Sequence, residues 1–408
     1  LMQVIGIVAE YNPFHSGHAY QIRAARSALE EESAVAAVMS GNWVQGGRPA
    51  VLDKWTRARL ALLGGVDLVL ELPTVWAMSS AESFARGAVT VLEKSGVVDI
   101  LSFGSECGDV DKLQAVADCL NTPEYEAGLR RFLDRGKPFA AARQRAAWEI
   151  LDGELADLLS NPNNNLGVEY LRTLHSLKSG IRPMTVRREG AAHDSLLTGT
   201  ERPRHLSATQ LRVFLERGEW EELSAYLPQG GQEVLKEGWN GFPSLQRMER
   251  GILAKLRTMT AEDWAKLPDS GAGEGLTPRL ERAGKQCRSL EEFFTLAKPK
   301  HWTQARMRRL LAWAYLGLIQ ADRPDSPPYL RVLGFNAKGQ ELLRQMKERA
   351  SLPMLTKPAH ARQLPLEGRQ LFELEARCTD LYDLCGERVP IPGREWTTGP
   401  VRMGVEQP

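Results

Sequence analysis

What this chain has little of narrows the field first. Its five cysteines, Cys107, Cys119, Cys287, Cys378 and Cys385, are scattered, and the nearest two have six residues between them. That spacing suits neither a disulfide framework nor a zinc knuckle, so reduced thiols of a cytosolic protein are expected. A His-Glu-x-x-His pattern is absent, which removes one common zinc site. No apolar run approaches the length of a membrane span, and the chain enters an apolar strand at once, with no space for a signal peptide. A soluble, cytoplasmic protein without membrane association is therefore expected. An excess of one charge is missing too: 52 Lys and Arg stand against 51 Asp and Glu, for a net charge of +1. This excludes coating nucleic acid by bulk charge but leaves room for a local basic face. With 43% hydrophobic and 25% charged residues over 408 positions, the composition is globular and the length implies two or three domains.

The richest stretch is at the N-terminus. An apolar run, Val4-Ile5-Gly6-Ile7-Val8-Ala9, leads through Glu10-Tyr11-Asn12-Pro13-Phe14 into His15-Ser16-Gly17-His18, and Ile22, Ala25 and Leu29 follow on a helical period. The histidine pair thus stands where a loop becomes a helix. Such a terminus offers backbone N–H groups and a positive dipole end, and Gly17 lacks a Cβ that would obstruct close approach. The arrangement suits a polyphosphate. Two structural histidines are the alternative reading of so short a pattern, while the want of a nearby Cys or third ligand argues against zinc.

Further along, strands alternate with helices: a strand at 35–39, a helix at 53–63, a strand at 66–72 stopped by Pro73, a helix at 80–95 and a strand at 97–103. This alternation predicts an α/β fold with a doubly wound, Rossmann-like parallel sheet. In such sheets ligands bind at the carboxyl ends of the strands. The polar clusters His15 to His18, Ser40-Gly41-Asn42 and Gly104-Ser105-Glu106 all follow strands and would converge on one crevice.

Several segments carry a resemblance. They are Glu10-Tyr11-Asn12-Pro13-Phe14-His15-Ser16-Gly17-His18, Ser40-Gly41-Asn42-Trp43-Val44-Gln45, Asp53-Lys54-Trp55-Thr56-Arg57, Asp67-Leu68-Val69-Leu70-Glu71-Leu72-Pro73 and Phe103-Gly104-Ser105-Glu106. Later come Pro162-Asn163-Asn164-Asn165, Arg187-Arg188-Glu189-Gly190, His193-Asp194-Ser195, Ser207-Ala208-Thr209-Gln210-Leu211-Arg212 and Tyr329-Leu330-Arg331-Val332-Leu333-Gly334-Phe335. Together they make the chain resemble the tRNA(Met) cytidine acetate ligase family, within the nucleotidyltransferase-like superfamily that carries a His-x-Gly-His element. The resemblance implies an ATP-dependent ligase. Acetate is activated as acetyl-adenylate with release of pyrophosphate, and the acetyl group is transferred to N4 of the wobble cytidine of elongator tRNA(Met). It implies acetate and this tRNA as partners and no obligate protein partner.

By the same resemblance, ATP contacts fall on Val8, Ala9, Glu10, Tyr11, Asn12, Pro13, Phe14, His15, Ser16, Gly17, His18, Ala19, Tyr20, Gln21, Gly104, Asn163 and Arg188, with His15, His18 and Arg188 in catalytic roles. The residue types suit this chemistry: imidazole N–H groups hold the triphosphate from one side and a planar guanidinium fork from the other. Mg²⁺ is expected to screen the phosphates, with no dedicated protein metal site. Glu10 and Asp194 are candidate general bases. Plainer readings stand beside these. Asn163 to Asn165 suit a turn or helix cap, Gly104 a turn, Ser207 a helix N-cap with Thr209 and Arg212 as secondary phosphate candidates, and Trp55-Thr56-Arg57 packing plus a solvated charge. Two departures from the family pattern stand out. Val44-Gln45-Gly46-Gly47-Arg48-Pro49 replaces the usual Val-Gln-Arg-Gly-Glu-Pro, and Ala191-Ala192-His193-Asp194 replaces a version bearing glycine and tyrosine.

The chain is expected to divide into an ATP-binding catalytic domain (1–215), a mostly helical, tRNA-binding region (216–390) and a flexible Gly/Pro-rich tail (391–408), with one late strand at 329–335. Arg279, Arg282, Lys285, Arg288, Lys298, Lys300, Arg306, Arg308 and Arg309 outweigh Glu281, Glu291 and Glu292, with Phe293, Phe294, His301 and Trp302 interleaved. A charge run is usually a solvated helix face. Against a neutral chain, Arg279, Arg282, Lys298, Lys300, Arg306, Arg308 and Arg309 are candidates for the tRNA backbone. A small-molecule nucleotidyltransferase making a dinucleotide-type cofactor, or a non-catalytic nucleotide-regulated RNA-binding protein, is the alternative function.

Overall fold

The computed structural model describes residues 2–29, 32–188, 206–270, 275–298 and 302–404. Short aliphatic runs ended by polar or Gly/Pro residues become strands: β1 (Gln3–Ala9), β2 (Ser33–Ser40), β3 (Trp43–Val44), β4 (Arg48–Pro49), β5 (Leu68–Leu72), β6 (Ile100–Ser105), β7 (Arg182–Arg187), β8 (Leu330–Phe335), β9 (Met354–Leu355) and β10 (Val401–Arg402). The main sheet runs β10-β8-β5-β2-β1-β6-β7, with β9 beside β8, while β3 and β4 form a separate hairpin. From β5 to β7 all neighbours are parallel, with Ile5 between Val35 and Ile100. Helices Ser16–Ser27, Lys54–Leu63, Ala81–Ser95 and Pro162–Ser176 lie between successive strands of this set. The chain order reverses between β1 and β6, so the doubly wound fold expected from the alternation has its crevice there.

Strand residues alternate between two cores. Ile5, Ile7, Val35, Ala37, Met39 and Val69 face one side, covered by Ile22, Trp55, Ala58, Ala61 and Leu211. Val4, Ala36, Val38, Leu68 and Leu70 face the other, where Phe84, Ala88 and Leu92 pack. That second core runs on without a break into Trp264, Phe293, Leu310, Trp313 and Phe372 of the later helices. The expected boundary near 215 therefore does not divide the sheet. β8 pairs antiparallel with β5 and parallel with β10. The expectation of a loose tail from 391 is likewise corrected as far as residue 404. Arg394–Thr397 is helical, Val401–Arg402 joins the sheet, and Glu395 is fully buried. Local Gly/Pro content carries no record of such distant partners. All five cysteines are free thiols. No described helix is long and apolar enough to cross a membrane.

Glu395 belongs to a buried ionic cluster. Lys54 Nζ lies 2.7 Å from Glu71 and 2.7 Å from Glu395, and Arg331 approaches Glu395 at 3.9 Å. Glu375 accepts the backbone N–H (2.6 Å) and hydroxyl (2.9 Å) of Thr74. Three carboxylates face two cations. Burial, then the charge of Glu71, pushes the Glu375 carboxyl up to about 8, so its proton brings the cluster to neutrality. A carboxyl raised above its unfolded value stabilises fully below that value, and the contribution is lost as pH rises through the folded value. Glu375→Gln preserves the contacts to Thr74. It is expected to melt like the parent near pH 5 and to be more stable above pH 8, by on the order of 3 kcal/mol. Thermal melts at both pH values check this, and a difference independent of pH would contradict it.

Candidate active site

The histidine pair is built into the helix start. His15, extended at φ −148°, is the N-cap of helix Ser16–Ser27. Its Nδ1 accepts the Gly17 N–H at 3.0 Å, while His18 Nδ1 accepts the His15 N–H at 3.2 Å. This is a capping box in which both partners are imidazoles. The rings lie 3.8 Å apart between centroids. A Cβ on Gly17 would press on the His15 ring at 2.9 Å, which accounts for glycine at that position. The remaining terminal donors are engaged as well: Ser16 N–H reaches Tyr226 C=O at 2.8 Å, and the His18 and Ala19 N–H groups reach His15 C=O. The terminus thus offers an anion its dipole and its imidazoles rather than the unpaired backbone N–H groups that the sequence suggested. Burial, then His15 and Arg188, hold the pKa of His18 well below 6.5. With Nδ1 accepting, the neutral ring carries its proton on Nε2, where it is a donor.

Tyr11 and Phe14 pack edge-on and tilted against His18 at 4.8 and 5.5 Å. Tyr11 takes a left-handed φ of +45°, a conformation disfavoured for a bulky residue and held here by burial on all sides. Val8 and Ala9 end β1, Asn12, Pro13 and Phe14 are buried beneath the turn, and Ala19, Tyr20 and Gln21 occupy the first helical turns, half-buried. Gln21 Nε2 donates to Ser102 C=O at 3.4 Å and ties the helix to β6.

Across the switch point, the end of β6 is joined to the start of helix Pro162–Ser176. Glu106 accepts the Asn163 and Asn164 N–H groups (3.2 and 2.7 Å), and Asn164 Oδ1 accepts the Glu106 and Cys107 N–H groups (3.0 and 3.1 Å). Glu106 also holds the Asn163 carboxamide at 2.7 Å, and Asn163 Oδ1 accepts from Arg188 Nη1 at 3.2 Å. Arg188 follows β7 and lies across Gly104, which is inside β6 rather than in a turn. The asparagine run thus lies in the first turn of helix Pro162–Ser176, and Asn163 holds the exposed Arg188 guanidinium. Glu106 was not among the candidates. Its place in the Gly104-Ser105-Glu106 cluster was the available signal.

The strand ends of β1 and β2 are clamped by Arg57, which is fully buried rather than solvated. It donates to the carbonyls of Leu52 (3.0 Å), Glu10 (2.6 Å), Ser40 (3.0 Å) and Gly41. Three converging main-chain segments supply those acceptors, an arrangement that helical periodicity does not report. The half-buried Glu10 accepts the Gln45 N–H at 2.7 Å, and burial raises its pKa against the pull of that bond, Arg212 and Arg57. Arg212, a secondary candidate, reaches Asn12 C=O at 3.2 Å in the turn after β1, whereas the Ser207 hydroxyl caps its own helix at Gln210. Asp194 and Lys300 lie outside the described residues. No group of three or more His, Cys, Asp or Glu placed to hold a metal occurs among those described.

Of the basic candidates, Arg282 and Lys298 are exposed, and Arg279 is exposed while donating to the carbonyls of Leu296 and Lys298. Arg306 stacks on Trp302 and donates to Asp269 C=O. Arg308 and Arg309 instead dock the 45–47 loop, donating to Gly46 and Gln45 carbonyls at 3.0 and 3.5 Å. Phe293 is buried against Trp264 and is core, not a stacking platform. Gly47, at φ +71°, sits so close that a Cβ would strike the backbone of Arg308 and Arg309, whereas Gly46 has open space. Gly47→Ala is therefore expected to cost roughly 2 kcal/mol or more in denaturant unfolding and Gly46→Ala well under 1. Equal effects would contradict the docking.

The family model of HIGH nucleotidyl transferases matches residues 2–391. A tRNA(Met) cytidine acetate ligase of Caldanaerobacter subterraneus subsp. tengcongensis is 38% identical over 402 residues, covering 96% of this chain and 97% of that protein. One of Thermoanaerobacter sp. (strain X514) is 35% identical over 403 residues, covering 97% and 98%. Among solved structures, Thermotoga maritima TmcAL bound with alpha-thio ATP is similar at a TM-score of 0.89 and 34% identity, over 98% of this chain and 100% of that one. Its apo form gives 0.90 at the same identity and coverage.

Proposed function

The chain belongs to the tRNA(Met) cytidine acetate ligase family, and from that premise we propose how its residues carry the reaction. It is an ATP-dependent ligase that modifies tRNA. In the first step an acetate oxygen attacks the α-phosphorus of ATP, the α–β bond breaks and pyrophosphate leaves with the developing charge. His15 and His18 donate from Nε2 to the phosphates at the positive end of helix Ser16–Ser27, and Arg188 offers its fork from the opposite side. Asn163 and Glu106 hold that fork before substrate arrives, so little reorganisation is needed at the moment of reaction. Mg²⁺ held by the phosphates themselves would neutralise part of their charge. In the second step N4 of the wobble cytidine of elongator tRNA(Met) attacks the acetyl carbon, AMP leaves, and the N4 proton passes to a base for which Glu10 is the described candidate. The single observation that carries this reading is the imidazole capping box facing Arg188 across the switch point.

Exchange of labelled pyrophosphate into ATP, run without tRNA, tests the first step. Exchange that requires acetate supports the reading. Exchange that ignores acetate but requires a small phosphorylated acceptor would point instead to a cofactor-making nucleotidyltransferase, and none at all to a non-catalytic RNA-binding protein.

The tRNA backbone is assigned to the exposed Arg279, Arg282 and Lys298, with Arg306 at the margin and Lys300 as a sequence neighbour. Arg308 and Arg309 act chiefly by docking the 45–47 loop. The double substitution Arg282→Ala with Lys298→Ala is expected to raise the KM for tRNA about tenfold. It should also reduce the salt slope of binding by about one unit per lost contact and leave acetate-dependent exchange unchanged. A fall in exchange with no change in tRNA affinity would contradict that assignment.

A further inference from the structure

At the rim of the nucleotide crevice, the β3–β4 hairpin carries a charge that its surroundings do not balance. Trp43 pairs with Pro49 and Val44 with Arg48. The fully buried Trp43 donates its indole N–H to Cys378 C=O at 3.0 Å, and Pro49 is buried beside it. Arg48, one residue before, alternates outward and is exposed. The turn at 45–47 is pinned from two sides. Gln45 donates its N–H to Glu10 at 2.7 Å and accepts from Arg309 Nη1 at 3.5 Å, while Gly46 C=O accepts from Arg308 Nε at 3.0 Å. Arg48 therefore stands on a platform that joins the end of β1 to helix Gln304–Leu316.

The charges around it are mostly of one sign. Arg57 and Arg212 act on Glu10, and Arg309 reaches Asp269 at 3.6 Å, so both carboxylates are engaged. Arg48 and Arg308 have no ion pair among the described residues, and Arg308 uses only its Nε, so its two Nη groups find no acceptor there. The two guanidiniums are nevertheless neighbours. Burial, then the charges of Arg48 and Arg309, lowers the pKa of Arg308 to about 10, and Arg48 acts in the same direction on Arg212. Like charges gathered at half-buried positions cost stability, and an arriving anion relieves them. The approach is open, since a Cβ on Gly46 would meet nothing within 4 Å.

Two anionic groups come to this crevice. The polyphosphate of ATP belongs between His18 and Arg188 at the β1–β6 switch, whereas Arg48 and Arg308 border Glu10 from the hairpin that follows β2. The second substrate has to bring N4 of its cytidine to the acetyl group while the phosphates of its strand stay at the rim. Guanidinium forks suit that backbone. We propose that Arg48 and the Nη groups of Arg308 clamp one backbone phosphate of the RNA strand that carries the acceptor cytidine, an inference that rests on the tRNA reading above. The clamp sets the strand in register with Glu10 through Gln45, which bonds Glu10 with its N–H and Arg309 with its C=O.

The test titrates the whole chain with the anticodon stem-loop of elongator tRNA(Met) at several salt concentrations, as wild type, Arg48→Ala, Arg48→Lys and Arg48→Glu. Thermal melts, and the KM for ATP in tRNA-free pyrophosphate exchange, are read alongside. Arg48 is exposed and bonds to no other described residue, so the variants should fold. Arg48→Ala is expected to weaken RNA binding about fivefold and to lower the salt slope by about 0.7, with the slope restored in Arg48→Lys. Arg48→Glu gives Arg308 an internal carboxylate. It is expected to weaken binding by about thirtyfold while raising the melting temperature by about 1–2 °C, opposite movements that a merely structural residue would not show. RNA affinity and salt slope equal to wild type in all three variants would overturn the clamp and leave the tRNA reading standing. A KM for ATP that rises in step would assign the two arginines to the polyphosphate and overturn the clamp likewise. Wild type that fails to bind the stem-loop would overturn both.

Discussion

His18→Ala is expected to lower acetate-dependent pyrophosphate exchange by about 10² to 10³-fold, the effect of removing a preorganised donor from charge developing in the transition state. The substitution also deletes the acceptor of the His15 N–H, so about 1 kcal/mol of stability should go with it. His18→Asn separates the two losses. Its side-chain oxygen is able to take over the cap, so most of the stability should return while exchange stays low. Full activity in His18→Asn would mean that the imidazole serves the helix and not the phosphates. The protonation state sharpens the expectation. Because the folded-state pKa of His18 lies below its unfolded value, the ring is neutral at pH 7. Its contribution to stability is fully present above about pH 6.5 and declines as the unfolded state takes up a proton at lower pH.

Lys54→Met carries the largest expected cost in stability. Lys54 is completely buried between Glu71 and Glu395, and removing one partner of a buried pair leaves charge uncompensated, typically at 3–5 kcal/mol. Because Glu395 comes from the C-terminal segment and Glu71 from β5, the loss should loosen the attachment of residues 394–402 to the sheet. Amide exchange in that segment would report it. Adding Glu71→Gln to Lys54→Met should recover much of the lost stability, since Glu395 and Arg331 then balance and no buried ion is left unpaired. Unfolding free energies that fall further in the double variant would show that the cluster is held by something other than charge balance.

Sequence patterning was most informative where the determinants were local. The β1 run, the turn and the His15-Ser16-Gly17-His18 helix start lie within eighteen residues, and their periodicities alone define a strand, a cap and an amphipathic face. The alternation up to β6 likewise implied a parallel sheet with polar clusters at its carboxyl edge. What escaped depended on distant partners. Arg57 reads as a solvated helix residue until the Glu10, Ser40 and Leu52 carbonyls surround it. Residues 394–402 read as a loose tail until Lys54 and β8 receive them. Arg308 and Arg309 belong to a basic run by composition, yet they face the 45–47 loop in space. The exchange of charges at Gly46 and Arg48 falls on that same loop, so the departure from the family pattern bears on how the loop is held. His15, His18, Asn163 and Arg188 are all intact.

The most direct measurement follows labelled acetate. The protein is incubated with ATP, Mg²⁺, [14C]acetate and bulk tRNA, and the tRNA is then digested to nucleosides. Label confined to N4-acetylcytidine, dependent on ATP and lost in His18→Ala, is the predicted result. Labelled adenylate that never reaches tRNA would contradict the transfer step, and the absence of any acetate-dependent product would contradict the account as a whole.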